Sequence, residues 1–382
     1  MSRALRIVFA APAYWPATAF GGPVPVMRAL ARELTALGHH VDVVTTTVTS
    51  IGTRPARRSR VAALDGVTVR YLGTPARFRW FGVVPSLGRA LDALPRPDVV
   101  HVFGFRDFVS TVTARWCRTN EIPYVFEPLG MFRPKLRKVR LKRALDATLY
   151  RPVPRGAALA IAASEIERRE LEAVVPTERI AIRPNAFPTP YDPPARPGPL
   201  RERLGLDAET PLVLSVGRIA RGKGLEHLVA AVTSMERVHL AIVGPDDGHG
   251  LTSQLLLLRQ RLGANGRVHL LGTVESPLQL YGDADVLALP SAHENFGMVA
   301  AEAAAAGTAS ILTDRCGIAA LLRDRGALVV PYGEAPLRDG LERLLGDDRL
   351  RAELGRAARE VAAELSPASV ARLQAEIYER VV

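Results

Sequence analysis

Cysteine is nearly absent: Cys117 and Cys316 stand far apart and are the only two. That excludes a disulfide framework and a zinc site built on paired cysteines, and it suits a reducing cytoplasm. Long apolar runs are missing too. No stretch of about 18 uninterrupted apolar residues occurs, so a membrane-spanning helix is not expected. Leu5–Ala11 follows an arginine and could pass for the core of a short signal peptide. A glycine turn and a helical pattern come straight after it, so it reads better as a first strand. Neither G-x-G-x-x-G nor G-x-x-x-x-G-K-[ST] is present, which argues against simple dehydrogenases and P-loop enzymes. Helix-turn-helix, zinc and aromatic-platform signatures of nucleic-acid binding are lacking as well.

What is present is a 382-residue chain, 48% hydrophobic, long enough for two domains of roughly 150–200 residues. The formal charge of +11 is unevenly spread. Up to residue 190 there are 29 Lys+Arg against 14 Asp+Glu, and beyond it 21 against 25. A basic half beside a mildly acidic one points to an anionic partner for the first: a membrane surface, a phosphorylated acceptor or nucleic acid. Only four of the 50 cations are lysines, a bias that a GC-rich genome produces as readily as function does.

Strand-like apolar runs alternate with helical patterns twice over. In the first half they are Arg6–Ala10, Val41–Thr45, Val99–Phe103, Tyr124–Phe126, Leu159–Ala162 and Ile180–Ile182. In the second they are Leu212–Val216, His239–Val243, Val268–Leu271, Val286–Leu289, Ser310–Leu312 and Leu328–Val330. Helices of 3.6 period intervene, clearest at Val24–Leu37 and Phe108–Thr119. Buried, non-alternating strands in a βαβα order call for parallel sheets covered on both faces. Between the halves, Pro184–Pro199 holds seven prolines, too many residues without an N–H for a sheet or helix interior, and reads as a linker. The expected fold class is α/β, with two Rossmann-like domains facing each other across a cleft and ligands beyond the carboxyl ends of the strands.

Three loops carry chemistry. The first is Glu294-Asn295-Phe296-Gly297-Met298-Val299 with Glu302 further on, between a strand and a helix. The free N–H groups of a helix start form an anion site, and two carboxylates at different depths suit an elongated ligand with hydroxyls at both ends of a diphosphate. The second is Gly217-Arg218 through Lys223-Gly224, again strand then glycine-rich turn. Two cations there would meet the charge growing on a diphosphate leaving group. The third is Gly21-Gly22 ahead of the first helix, where glycine permits close backbone approach to a phosphate and a mere turn is an equal reading.

With these motifs the sequence resembles the retaining glycosyltransferases of family 4, which have the two-domain GT-B fold. The likeness runs through Gly21-Gly22, Asp98–His101, Ser164-Glu165, Pro184-Asn185, Gly217-Arg218 to Lys223-Gly224, Leu271-Gly272 and the E-x7-E element Glu294–Glu302. It implies that Arg218 and Lys223 hold the donor diphosphate, Glu294 the transferred sugar and Glu302 the ribose. Backbone at Asn295–Val299 would hold sugar and phosphate, Gly272-Thr273-Val274 would frame the base, and Gly21 and Gly22 would close on the phosphate from the other domain. The implied division is residues 1–188 for the acceptor side and 189–365 for the nucleotide sugar, with a C-terminal helix at about 366–382 packing back on the first domain.

Where the family often has a second histidine after the equivalent of His101, this chain has Phe103. The acceptor-side candidates are therefore His101, Phe103 and Glu127, with His101 itself read as a strand-end structural residue before a catalyst, and the acceptor-side acid/base chemistry is open. Asp285, with Asp283, forms a D-x-D between a short helix and a strand and reads as structural. No metal and no cofactor are expected, because Arg218 and Lys223 already neutralise the leaving group. The basic run Arg133–Arg143 holds seven cations and suits anionic lipid headgroups, an anionic acceptor or simply a solvated helix. The expected activity is transfer of a hexosyl or N-acetylhexosaminyl group from a nucleotide-diphosphate sugar, with UDP preferred. The acceptor would be a hydroxyl of a glycan, glycolipid or small molecule, and the expected location is cytoplasmic, with a peripheral place at the inner face of the membrane as its variant. A nucleotide-sugar epimerase of the same fold and a basic nucleic-acid-binding protein are the alternatives.

Overall fold

The computed structural model describes residues 3–50, 52–78, 81–133, 139–193, 196, 198–274 and 277–382. The chain divides into unit 1, Met1–Ala186 with Pro367–Val382, and unit 2, Phe187–Ser366. The sequence reading puts its divisions after residues 188 and 365.

Unit 1 contains β1 (Arg6–Ala11), β2 (His40–Thr46), β3 (Arg60–Leu64), β4 (Val67–Leu72), β5 (Ala76–Phe78), β6 (Phe81–Val83), β7 (Val99–Phe103), β8 (Tyr124–Glu127), β9 (Leu159–Ala162) and β10 (Ile180–Ile182). Eight of them form one sheet in the order β10-β9-β8-β7-β1-β2-β4-β3. Only the edge pair β3/β4 is antiparallel, and β5 and β6 make a separate hairpin. β1 and β7 are buried along almost their whole length, as strands covered on both faces must be. The helix Pro23–Ala36 starts on Gly22 with proline in its first turn and buries Val24, Met27, Leu30, Ala31 and Leu34, one stripe at 3–4 spacing. The helix Phe108–Thr119 is capped by Asp107, whose carboxylate accepts from Ser110 N–H at 2.8 Å. The helix Pro367–Glu379 belongs to this unit and contributes Ala371, Ala375, Ile377 and Tyr378 to its core.

Unit 2 contains β11 (Leu212–Val216), β12 (His239–Val243), β13 (Val268–Gly272), β14 (Val286–Leu289), β15 (Ser310–Thr313) and β16 (Ala327–Val330), all parallel, in the order β13-β12-β11-β14-β15-β16. The alternation read from the sequence recurs in every one of these strands. β3 to β6 were not expected.

The proline-rich segment carries no helix or strand at its described residues before Pro199, and from Phe187 on it packs against unit 2. Phe187 is fully buried beside Phe296, its N–H bonds Leu365 O at 2.9 Å, and Tyr191 N–H bonds Ala305 O at 3.1 Å. Proline forbids regular structure there but leaves the aromatic residues free to strap the segment onto unit 2. No helix among the described residues is long and apolar enough to cross a membrane.

Candidate functional site

In unit 2 the chain leaves β11 toward β12 and β13, then returns to β14 on the other side. The loops after β11 and β14 therefore part at the point where strand order reverses, the crevice that open α/β sheets use for ligands. Both principal motifs lie there.

Close backbone approach joins these loops, and it demands glycine. Gly224 has φ +68°, and a Cβ on it would stand 2.0 Å from Pro290 O. A Cβ on Gly244, after β12, would stand 1.9 Å from Gly217 O. Ala292 N–H bonds Gly222 O at 2.9 Å, Gly217 N–H bonds Val243 O at 2.9 Å, and Gly244 N–H bonds Gly272 O at 2.8 Å. The turns ending β11, β12 and β13 and the β14 loop are thus stitched into one rim. On that rim Gly272 has φ +68° and Thr273 is exposed, while Val274 is half-buried.

Glu294 is held by its main chain and its side chain. Its N–H donates to Arg315 O at 3.0 Å and its carbonyl accepts from Gly317 N–H at 2.9 Å, so the loop after β15 braces it. Phe296, buried two residues on, is held the same way through Ile318 N–H at 2.8 Å. Lys223 Nζ donates to Glu294 Oε2, with about a quarter of each side chain exposed. Arg218 is exposed and makes no ion pair among the described residues. The helix Met298–Ala306 begins on Gly297, φ +112°, with no side-chain cap. With glycine at the cap, no cap side chain covers the first-turn N–H groups at Met298 and Val299, at the end of the loop that carries Asn295.

Glu302, within that helix, accepts a hydrogen bond from Tyr281 OH. Burial raises its pKa above the usual carboxylate range, a shift the Tyr281 hydrogen bond only partly offsets. Burial and the neighbouring Glu302 push the Tyr281 phenol up as well.

Asp283 is spent on structure. Its carboxylate accepts from Gly198 N–H at 2.7 Å and Leu200 N–H at 2.8 Å, starting the helix Pro199–Leu204. Asp285 pairs with Arg196 at 2.6 Å and Arg201 at 2.9 Å.

In unit 1, Gly21 (φ +83°) and Gly22 start the helix Pro23–Ala36, again with no side-chain cap. The acceptor-side candidates His101, Phe103 and Glu127 are all buried. His101 Nδ1 lies 2.7 Å from Tyr378 OH and Nε2 lies 3.1 Å from Glu127 Oε2. Arg183 donates to the same Glu127 oxygen at 2.5 Å, and the Phe103 ring stacks on His101 with centroids 3.8 Å apart. The cause is the helix Pro367–Glu379, which brings Tyr378 onto these strand ends and closes them. Burial lowers the His101 pKa against the pull of Glu127. Burial would raise that of Glu127, but Arg183 and His101 hold it below the usual range.

Sequence reasoning missed Tyr281, the brace at Arg315 and Gly317, and Gly244. A glycine directly after a strand was the available signal for Gly244. Of the segment Arg133–Arg143, residues 134–138 lie outside the described residues; Arg133, Arg140 and Arg143 are exposed, the last two on the helix Val139–Leu145.

Two family models match: Glycosyl transferase 4-like domain over residues 21–186 and Glycosyl transferases group 1 over residues 199–361. Among curated proteins, a D-inositol 3-phosphate glycosyltransferase of Xylanimonas cellulosilytica is 36% identical over 197 residues, covering 50% of this chain and 47% of that protein. One of Nocardia farcinica is 38% identical over 183 residues, 44% of this chain and 40% of that protein. The matches thus span less than half the length of these relatives. Among solved structures, a sucrose-phosphate synthase from Thermosynechococcus elongatus aligns with a TM-score of 0.77 at 21% identity, covering 98% of both chains. Anabaena HepE in complex with UDP and glucose aligns at 0.75 and 19%, covering 99% of this chain and 100% of that one. These likenesses carry the fold, two Rossmann-like units of GT-B type. With one family model over each unit, the chain belongs to the family 4 glycosyltransferases of GT-B fold.

Proposed function

We propose that the chain transfers a hexosyl or N-acetylhexosaminyl group from a UDP-sugar to an acceptor hydroxyl with retention of configuration. The observation that carries this reading is the convergence, at the point of strand-order reversal in unit 2, of an exposed Arg218, the Lys223–Glu294 pair and an uncapped helix start. Structural neighbours support the donor: Anabaena HepE was solved with UDP and glucose and also with UDP-glucose.

In this reading Arg218 and the first-turn N–H groups hold the diphosphate as its charge develops, with no metal. Lys223 divides its ammonium between that phosphate and Glu294, and so fixes one carboxylate oxygen while the other orients the sugar. Glu302 accepts from the ribose hydroxyls, and Gly272–Val274 border the base. The bond from the anomeric carbon to the phosphate oxygen breaks, and the acceptor hydroxyl attacks on the same face. Its proton passes to the departing phosphate. His101 and Glu127, sealed in the core, stay outside this step and serve to hold the strand ends. Acceptor binding falls to unit 1, and the enzyme works in the cytoplasm on a glycan, a glycolipid or a small molecule.

The test is release of nucleoside diphosphate from a panel of nucleotide sugars, with and without acceptors, and the anomeric configuration of the product by NMR. Acceptor-dependent UDP release with a retained anomer is expected. Epimerisation of the donor without acceptor, or no release from any donor, would overturn the reading.

A further inference from the structure

One surface of unit 1 combines uncompensated cation with exposed apolar side chains. Asp42, which pairs with Arg70 at 3.4 Å, and Asp92 bound a stretch of eight arginines with a single acidic residue among them, Asp65. That carboxylate is already taken by Arg28, which donates to it at 2.7 and 3.3 Å. Arg54, Arg57 and Arg58 are exposed and have no ion pair or hydrogen bond among the described residues, and Arg60 lies over the Tyr71 ring at 3.8 Å. Phe78, where β5 ends, is 71% exposed, and Val61 on the edge strand β3 is 62% exposed.

The arginine loop and the hairpin are one surface. Thr74 N–H bonds Ala56 O at 2.9 Å, a Cβ on Gly73 would stand 2.0 Å from Arg57 O, and Arg77 Nη1 donates to Ser50 O at 2.9 Å. This surface follows the carboxyl ends of β2 and β4. Thr46 Oγ1 ties it to Pro12 O at 2.8 Å, at the start of the loop that leads to Gly21 and Gly22.

We propose that this face, the Arg54–Arg60 loop with the β5/β6 hairpin, docks unit 1 onto an anionic lipid bilayer and so takes a lipid-linked acceptor from it. The inference rests on the glycosyltransferase reading only for the word acceptor; the docking itself does not need it. Charge complementarity supplies the partner, since the guanidinium groups match lipid phosphates. The aromatic ring supplies the choice of source. A small soluble anion gains nothing from an exposed phenyl ring, whereas the headgroup–acyl boundary buries it. The segment 133–143 is a separate candidate for the same contact and serves as the comparison.

The experiment is sedimentation of the full chain, without donor, with phosphatidylcholine vesicles and with vesicles containing about one-third phosphatidylglycerol, at low and high salt. The parent should bind only the anionic vesicles and leave them as salt rises. Arg57→Ala with Arg58→Ala should lower the partition at least about tenfold. Phe78→Ser alone should lower it clearly, while Arg140→Ala with Arg143→Ala leaves it near the parent value. An unchanged melting temperature in each variant keeps the comparison clean. Equal, weak binding to both vesicle types, loss confined to the Arg140/Arg143 variant, or binding indifferent to Phe78→Ser and displaced by a soluble polyanion would each overturn the proposal. Because no donor is present, failure here leaves the transfer reaction standing, and failure of the UDP-release assay leaves the docking result standing.

Discussion

Arg218 and Glu302 occupy opposite electrostatic situations, and their variants should differ in kind. Arg218 is exposed, so its loss carries little folding penalty and falls on the reaction. Arg218→Ala should cut turnover on the order of 100-fold with the melting temperature unchanged, because a preorganised charge facing the leaving group is gone. Steady-state kinetics check this, and turnover within threefold of the parent would remove Arg218 from the chemistry. Glu302 is held largely away from water with a raised pKa. Its folded form binds a proton more tightly than the unfolded chain does. Ionising it therefore costs stability as pH rises through the interval between its ordinary and its raised value, and below both there is no penalty. Glu302→Gln, which still accepts from Tyr281, should melt higher than the parent near about pH 8, with the gap closing toward about pH 4. The same substitution should weaken UDP binding, since a carboxylate facing the ribose hydroxyls is the stronger acceptor. Equal melting curves at both pH values would show that Glu302 is not desolvated.

At the scale of elements, six strands of unit 2 are readable from the sequence because each is a short apolar run, five of them ended by glycine or proline and β15 by Asp314. β3 to β6 are not readable. β3 and β4 each carry an arginine in the run and β5 and β6 have only three residues apiece, so no uninterrupted apolar run marks them. Candidate residues follow the same division. Arg218, Lys223, Glu294 and Glu302 stand out because each sits in a strand–glycine–helix context. The Lys223–Glu294 contact does not, since it depends on β14 lying beside β11 while 70 positions separate the two residues. The burial of His101 and Glu127 was hidden for a similar reason: Tyr378, which covers them, comes from the other end of the chain. The D-x-D element shows how much context decides. Asp283 anchors the start of the helix Pro199–Leu204, so Asp283→Ala should cost about 1–3 kcal/mol of stability by stranding buried N–H groups. Turnover measured below the melting transition should be nearly unaffected, and EDTA should spare it. Activity lost on chelation and restored by manganese would instead make Asp283 and Asp285 metal ligands.

On the scale of the whole molecule, each unit has a core of its own. Two apolar clusters flank the sheet of unit 1, and a third lies in unit 2. Calorimetry should resolve two transitions or one broadened one. UDP at about 100 times its dissociation constant should stabilise unit 2 by about 2.7 kcal/mol, with a smaller effect on unit 1. A shift confined to the unit 1 transition would move the nucleotide site away from the β11/β14 loops.

The chain passes from unit 1 to unit 2 after Ala186 and back after Ser366, and this sets an order of assembly during synthesis. Unit 2 is one uninterrupted segment and can close as soon as it clears the ribosome. Unit 1, although translated first, stays unfinished until the last residues emerge. Until then His101 and Glu127 lack the Tyr378 lid, and the groove lined by Leu30, Leu34 and Ile7 lacks Ala371 and Ile377. The nascent N-terminal segment thus spends most of translation as an open sheet, the state in which a chaperone would hold it. A released chain truncated after Ser366 should yield a protease-resistant 187–366 fragment beside a digestible 1–186.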